Sequence, residues 1–152
     1  MLDSIDKKLL DLLQTDSKQT SKQLSAKLNL SPTAIYERIK KLEKAGVIAA
    51  YAALLDKKLV GRDFVVYCHI KLLKHSKEYL TTFESQIVKL DEVLECYHIS
   101  GDYDYLLKVA VQDMEAFRQF MVTKLTTLQY IGSTHSSFTI SEVKNTTKMS
   151  LS

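Results

Sequence analysis

Between residues 18 and 44 the chain carries seven basic side chains (Lys18, Lys22, Lys27, Arg38, Lys40, Lys41 and Lys44) and only two acids. Lysine and arginine gathered in this way neutralise phosphate groups and release their counterions, which is the chemistry of a nucleic-acid surface. The imbalance is regional. Residues 1–62 hold twelve Lys or Arg against seven Asp or Glu, a net of +5, whereas residues 63–152 hold nine against eleven, a net of −2. A second group with chemical capacity is Ser100-Gly101-Asp102-Tyr103-Asp104. Its glycine allows close approach of a backbone or ligand, its N–H groups suit a carboxylate, and Asp102 or Asp104 suits an ammonium group. The competing reading is a tight turn whose aspartates hold their own backbone. The four histidines, His69, His75, His98 and His135, lie apart in sequence. There is no Cys-x-x-Cys, no His-Glu-x-x-His and no glycine-rich phosphate loop, so the residues point to no enzyme, no cofactor and no metal. Cys68 and Cys96 fall inside apolar β-like runs and read as packing residues; Cys96 and His98 share a strand face but lack the further ligands a metal needs.

The basic residues need helices to present them. Ser31 is a preferred N-cap and Pro32, the single proline, falls at the first helical position, where its missing N–H costs nothing. Ile35, Ile39 and Leu42 then form a narrow apolar stripe, and Gly46 is the natural stop before Val47-Ile48. Thr33, Glu37, Lys40 and Lys44 project opposite that stripe, flanked by Lys41 and Tyr36. Upstream, Thr20 and Gln23 make a capping-box pattern opening a helix with Leu24 and Leu28, and a short turn follows at Asn29-Leu30. Asp3 or Ser4 caps a first helix carrying Ile5, Leu9, Leu12 and Leu13. Three short helices with a tight turn between the second and third form a helix-turn-helix, so the third reads as a DNA-recognition helix. Base-edge contacts are expected from Ser31, Thr33, Ala34, Glu37 and Arg38, and phosphate contacts from Lys40, Lys41 and Lys44 with Lys22 and Lys27. Arg38 lies nearer the core flank, and both base edge and phosphate are open to it. The competing reading is a plain three-helix bundle with a solvated basic face.

After residue 62 the period changes. Residues 64–72 are β-branched and aromatic; Tyr79, Leu80, Phe83, Ile87 and Leu90 recur at helical spacing; 93–99 and 105–111 return to strand character. Asp113 caps a second helix with Phe117, Phe120, Met121, Leu125 and Leu128, and a last strand is expected from about Tyr130 to Val143. The order βαββαβ predicts a ferredoxin-like sheet with both helices on one face, hence an α+β chain. Apolar side chains on the other face predict a second subunit there. The expected organisation is a DNA-binding domain over 1–48, a linker strand over 49–62 that pairs with another segment such as its copy in a partner chain, a ferredoxin-like ligand-binding and oligomerisation domain over 63–144, and a polar, frayed tail over 145–152. No apolar run approaches the roughly 18 residues of a membrane helix and no signal-peptide pattern is present, so a cytoplasmic protein without membrane partners is expected.

Several of these segments together resemble the Lrp/AsnC, or feast/famine, transcription regulators. They are Leu2-Asp3-Ser4-Ile5-Asp6-Lys7-Lys8-Leu9-Leu10, the stretch from Leu30 to Ile48 with Leu-Ser-Pro-Thr and Arg38, Gly61, Gly101-Asp102-Tyr103-Asp104-Tyr105 and Val143-Lys144. Ala34-Ile35 stands where that family often has Pro-Val. The resemblance implies a winged-type helix-turn-helix domain that binds double-stranded DNA and a regulatory domain that forms homodimers, assembling to tetramers or octamers. It also implies a small-molecule effector, an amino acid or related metabolite, bound near Ser100, Gly101, Asp102, Tyr103 and Asp104. The last strand of a neighbouring dimer would supply Thr134 and Ser136, with the alternation of that strand able to shift the choice by one residue. A stand-alone amino-acid-binding or scaffold module without specific DNA binding is the alternative.

Overall fold

The computed structural model describes residues 2–151. The chain divides into two compact units, with boundaries after Leu54 and before Val143, so that the last residues rejoin the first unit.

The first unit is three helices, α1 (Ser4–Thr15), α2 (Ser21–Leu28) and α3 (Pro32–Lys44). Each start is fixed by a side chain. Asp3 accepts the Asp6 N–H at 2.7 Å while the Asp6 carboxylate accepts that of Asp3. Thr20 and Gln23 exchange the same pair of bonds, and Ser31 Oγ accepts the Ala34 N–H at 3.1 Å. Asn29 turns the chain between α2 and α3 in the left-handed region, at φ 52°, and Gly46 at φ 71° stops the chain after α3. Leu9, Leu10, Leu13, Leu24, Ile35 and Leu42 form the core, with Leu12, Leu28, Ile39 and Leu151 against it. Of the expected stripe Ile5, Leu9, Leu12 and Leu13, α1 buries Leu9 and Leu13 and leaves Ile5 and Leu12 half-buried. Leu10 and Asp6 are buried beside them, Asp6 paired with a distant arginine.

Among the described residues no strand lies between α3 and residue 64, and the linker over 49–62 leaves Leu54, Leu55 and Leu59 exposed. Tyr51 anchors its start, donating its hydroxyl to Glu43 Oε1 at 3.0 Å, and Lys57 pairs with Glu142. The expectation of a frayed tail is corrected: Lys148, Met149 and Leu151 contact α1 and the helical core.

The second unit is β1 (Phe64–Leu72), α4 (Lys77–Ile87), β2 (Val93–His98), β3 (Tyr105–Val111), α5 (Met114–Thr123), a single 3-10 turn (Leu125–Thr127) and β4 (Ile131–Phe138). All pairings are antiparallel and the strand order is β2-β3-β1-β4, the expected ferredoxin-like sheet. Val66, Cys68, Ile70 and Leu72 from β1 and Tyr105, Leu107, Val109 and Val111 from β3 face Phe83 and Ile87 of α4 and Phe117 and Phe120 of α5, so both helices lie on one face. Burial pushes the Cys96 thiol up to about 11, as expected of a packing thiol. The opposite face exposes Tyr67, Leu94 and Tyr97.

β4 is shorter than expected at both ends. Tyr130 sits at φ 70°, outside strand conformation, stacked on Tyr79 with ring centroids 3.8 Å apart. Gly132 follows as the unpaired residue of a bulge in β4, opposite Lys71 and Leu72; a Cβ there would come within 3.3 Å of the Leu72 and Leu73 backbone. At the other end Phe138 pairs with Val66 and the Thr139 N–H reaches Val65 O, the last bond of β4 to β1.

Candidate nucleic-acid interface and regulatory turn

The outward face of α3 is built by exclusion. Ile35 and Leu42 are buried in the helical core, which leaves Thr33, Tyr36, Glu37, Lys40, Lys41 and Lys44 exposed and Ala34 half-buried. Glu37, Lys40, Lys41, Lys44 and Ala45 line one open groove. Ser31 is exposed at the start of the helix, but its hydroxyl is already engaged as the cap. Lys22 and Lys27 are exposed on α2, and Lys27 Nζ donates to Gln19.

Lys40 is the most structured cation of this face. Its Nζ lies 2.9 Å from Glu43 Oε2 and 5.7 Å from the centre of the Tyr36 ring. The pairing raises the lysine above its ordinary value, and it lowers the carboxyl of Glu43, to which the Tyr51 hydroxyl also contributes. Tyr51 and Glu43 thus join the linker to the last turn of the recognition helix, a contact that no periodicity in the sequence announces.

Arg38 departs from expectation. Its Nη1 donates to Asp3 Oδ2 at 2.7 Å and to Asp6 Oδ1 at 2.6 Å, so the side chain points back to the start of α1. Asp6 is 3% exposed, which makes the arginine its compensating charge. Asp3 is held below the ordinary carboxylate value by the Asp6 N–H first and by Arg38 second. Arg38 therefore sets the angle of α3 on α1. Asp6 was legible only as a helix-opening acid.

In the second unit the turn at 100–104 divides. Ser100, Gly101 and Asp102 are exposed, Gly101 at φ 119°, which only glycine adopts readily. Asp104 is buried. Its Oδ2 accepts the Leu72 N–H at 2.7 Å, its Oδ1 lies 2.9 Å from His75 Nδ1, and its backbone bonds Ile70 and Ile99. Asp104 thus holds the turn to β1 and is not available to an ammonium group in this arrangement. Tyr103 packs its ring 5.1 Å from His69 on the open sheet face.

Thr134 and Ser136 stand opposite Ile70 and Cys68, on the helix side of β4, half-buried, with Ser136 Oγ 3.7 Å from Cys68 Sγ. Their neighbour His135 lies on the open face beside His69. Tyr105, just after the turn, pairs with Ile70 from the other side, so Thr134 and the turn flank β1 two strand spacings apart, about 10 Å. Among the described residues no group of three or more His, Cys, Asp or Glu converges to hold a metal ion, and no helix is long and apolar enough to cross a membrane.

Two known domains account for most of the chain. Residues 2–49 match the winged helix-turn-helix DNA-binding domain and residues 65–149 the Lrp/AsnC ligand binding domain. The leucine-responsive regulatory protein of Haemophilus influenzae is 41% identical over 145 residues, covering 95% of this chain and 87% of its own length. That of Escherichia coli K12 is 35% identical over 148 residues, covering 97% and 90%. Among solved structures, a Neisseria meningitidis transcriptional regulator in complex with L-methionine superposes with a TM-score of 0.93 at 34% identity, over 98% of this chain and 96% of that one. The AsnC of E. coli superposes with a TM-score of 0.89 at 26% identity, over 97% and 98%. These relatives are regulators of transcription and not enzymes, and the shared helix-turn-helix is the part that binds DNA. With both domains matched in order, the chain belongs to the Lrp/AsnC family of DNA-binding transcriptional regulators.

Proposed function

We propose that the protein acts as a homodimer whose two α3 helices enter successive major grooves about 34 Å apart. Thr33, Ala34 and Glu37 meet base edges with Ser31 at the helix start, and Lys22, Lys27, Lys40, Lys41 and Lys44 meet phosphates. The observation that carries this reading is the α3 face itself, exposed along Thr33, Glu37, Lys40 and Lys44 while its other side is locked in the core. Dimerisation is supported by the exposed Tyr67, Leu94 and Tyr97 on the uncovered sheet face and by Leu54, Leu55 and Leu59 in the linker. A dimer that assembles further, to tetramer or octamer, suits the same surfaces.

The effector is an amino acid or a close relative, taken up between Ser100, Gly101, Asp102 and Tyr103 of one subunit and the Thr134–Ser136 stretch of another. The Neisseria relative with bound L-methionine supports that class of ligand. Asp102 is the group for the ammonium, since Asp104 is spent inside the fold. A thermal-shift screen of the twenty amino acids tests it. A stabilising hit that Asp102→Asn abolishes is expected, and no hit at millimolar ligand would sink the effector reading.

A further inference from the structure

Residues 146–151 leave the regulatory unit and return to the first helix, and three different kinds of contact hold them there within four residues. Gln14 offers its side-chain amide to one residue of the returning segment: Nε2 donates to Met149 O at 3.0 Å, and Oε1 accepts the Met149 N–H at 2.7 Å. An amide used in this way satisfies both backbone groups of a single residue, which recognises chain and not side chain. One residue earlier, Lys148 Nζ lies 2.8 Å from Asp11 Oδ1 and 3.3 Å from Thr15 Oγ1, which sets the register. Two residues later, Leu151 packs against the helical core. Asp11, Gln14 and Thr15 recur at i, i+3 and i+4, so they form one patch on the outside of α1.

We propose that this patch is a docking surface for residues 146–151, and that the resulting clasp gives the DNA-binding unit a second attachment to the end of β4. The chain passes between the two units once after Leu54 and again before Val143. A unit held by one connection samples a wide range of orientations. A unit held by two samples fewer, and the entropy lost when two recognition helices are aligned on one duplex falls accordingly. The clasp is built from exposed polar contacts and one leucine, so it opens more readily than the core beneath it. It therefore adjusts DNA affinity without forming part of the DNA surface. This last step rests on the dimeric reading given above; the docking itself does not.

Four full-length variants test both halves: Gln14→Ala, Asp11→Lys, Lys148→Asp and the double exchange Asp11→Lys/Lys148→Asp, which keeps the net charge of the unaltered chain. Hydrogen exchange of the Met149 amide reads the docking. The probe for binding is a duplex selected from a random pool by the unaltered chain. Gln14→Ala and each single charge variant are expected to speed Met149 exchange about tenfold or more. Gln14→Ala and Lys148→Asp are expected to weaken duplex binding about fivefold, and the double exchange to restore both readings. Unchanged Met149 exchange in Gln14→Ala overturns the docking, as does a double exchange no better than its singles. Faster exchange with duplex affinity held within about twofold overturns the coupling to DNA. Light scattering on the same samples keeps the dimeric reading separate, because a monomer would defeat that reading while Met149 exchange still reports the clasp.

Discussion

The outward face of α3 and the turn at 100–104 are both short, polar and charged, yet they put their side chains to use by different rules. On α3 one helical period decides nearly everything: what does not face Leu9, Leu13 and Leu24 faces water, and the exposure of Lys41 and Lys44 follows from the burial of Ile35 and Leu42. In the turn no period operates. Asp102 and Asp104 are two residues apart and chemically identical, but one is exposed and the other closes hydrogen bonds to Leu72 and His75. A charged residue on a regular element can be assigned by its neighbours, whereas one in a turn is assigned by whatever strand happens to lie beneath it. Arg38 is the exception that sharpens this contrast, since it sits on the regular element and is still claimed by a partner 32 residues away.

The contrast is broken most severely at Asp104. Asp104→Ala leaves the buried Leu72 N–H without an acceptor, and a loss of about 1–3 kcal/mol is expected in urea unfolding of the full chain. Asp102→Ala should leave stability within about 0.5 kcal/mol. Equal losses for the two would erase the distinction drawn between them.

Next is Arg38→Ala, expected to cost about 2 kcal/mol because it strips Asp6 of its compensating charge. Binding to duplex DNA should weaken for all sequences in proportion to the helix disorder it causes, and binding at low temperature should recover. A change in base preference with stability intact would return Arg38 to the reading surface.

A smaller effect comes with acid. The Asp3 carboxyl is held below its ordinary value of 3.8, so its contribution is present above that value and is lost as pH falls through the lowered one. Between about pH 5 and pH 3 the unaltered chain should therefore lose more stability than Asp3→Asn, which has no carboxyl there to protonate. Parallel acid limbs in the two proteins would show that the bonds of the Asp3 carboxylate to the Asp6 N–H and to Arg38 contribute nothing in solution.

The mildest is Lys41→Ala. The fold should not notice it, and the dependence of log affinity on log salt should drop by roughly one unit with sequence preference unchanged. A shifted preference at constant salt slope would place Lys41 against a base.

The same contrast explains what was legible. The three caps, Asp3, Thr20 and Ser31, and the order βαββαβ all follow from residues within a few positions of each other, where hydrogen bonds and side-chain period act locally. The pieces that escaped depend on partners far along the chain: the burial of Asp6 against Arg38, the end of β4 at Phe138 opposite Val66, and the return of Met149 to Gln14. Thr134 and Ser136 were legible as hydroxyls on a strand, but the face they occupy was decided by the register of β4 on β1 and by the bulge at Gly132.

That register also sets a timetable. β1 is one of the two inner strands and the earliest of the four to be synthesised, yet its two ladder partners are β3 and β4, the latest. Val66 waits for Val109 and then for Phe138. The three helices of the first unit find all their core partners but Leu151 within residues 2–48 and fold on a faster clock, since local contacts close sooner than distant ones. During synthesis the chain therefore owns its DNA-reading helices while the apolar strand at the heart of its sheet is still unpartnered. An interruption before β4 leaves a fragment with finished recognition helices and an open edge along β1, prone to associate with other unfinished sheets.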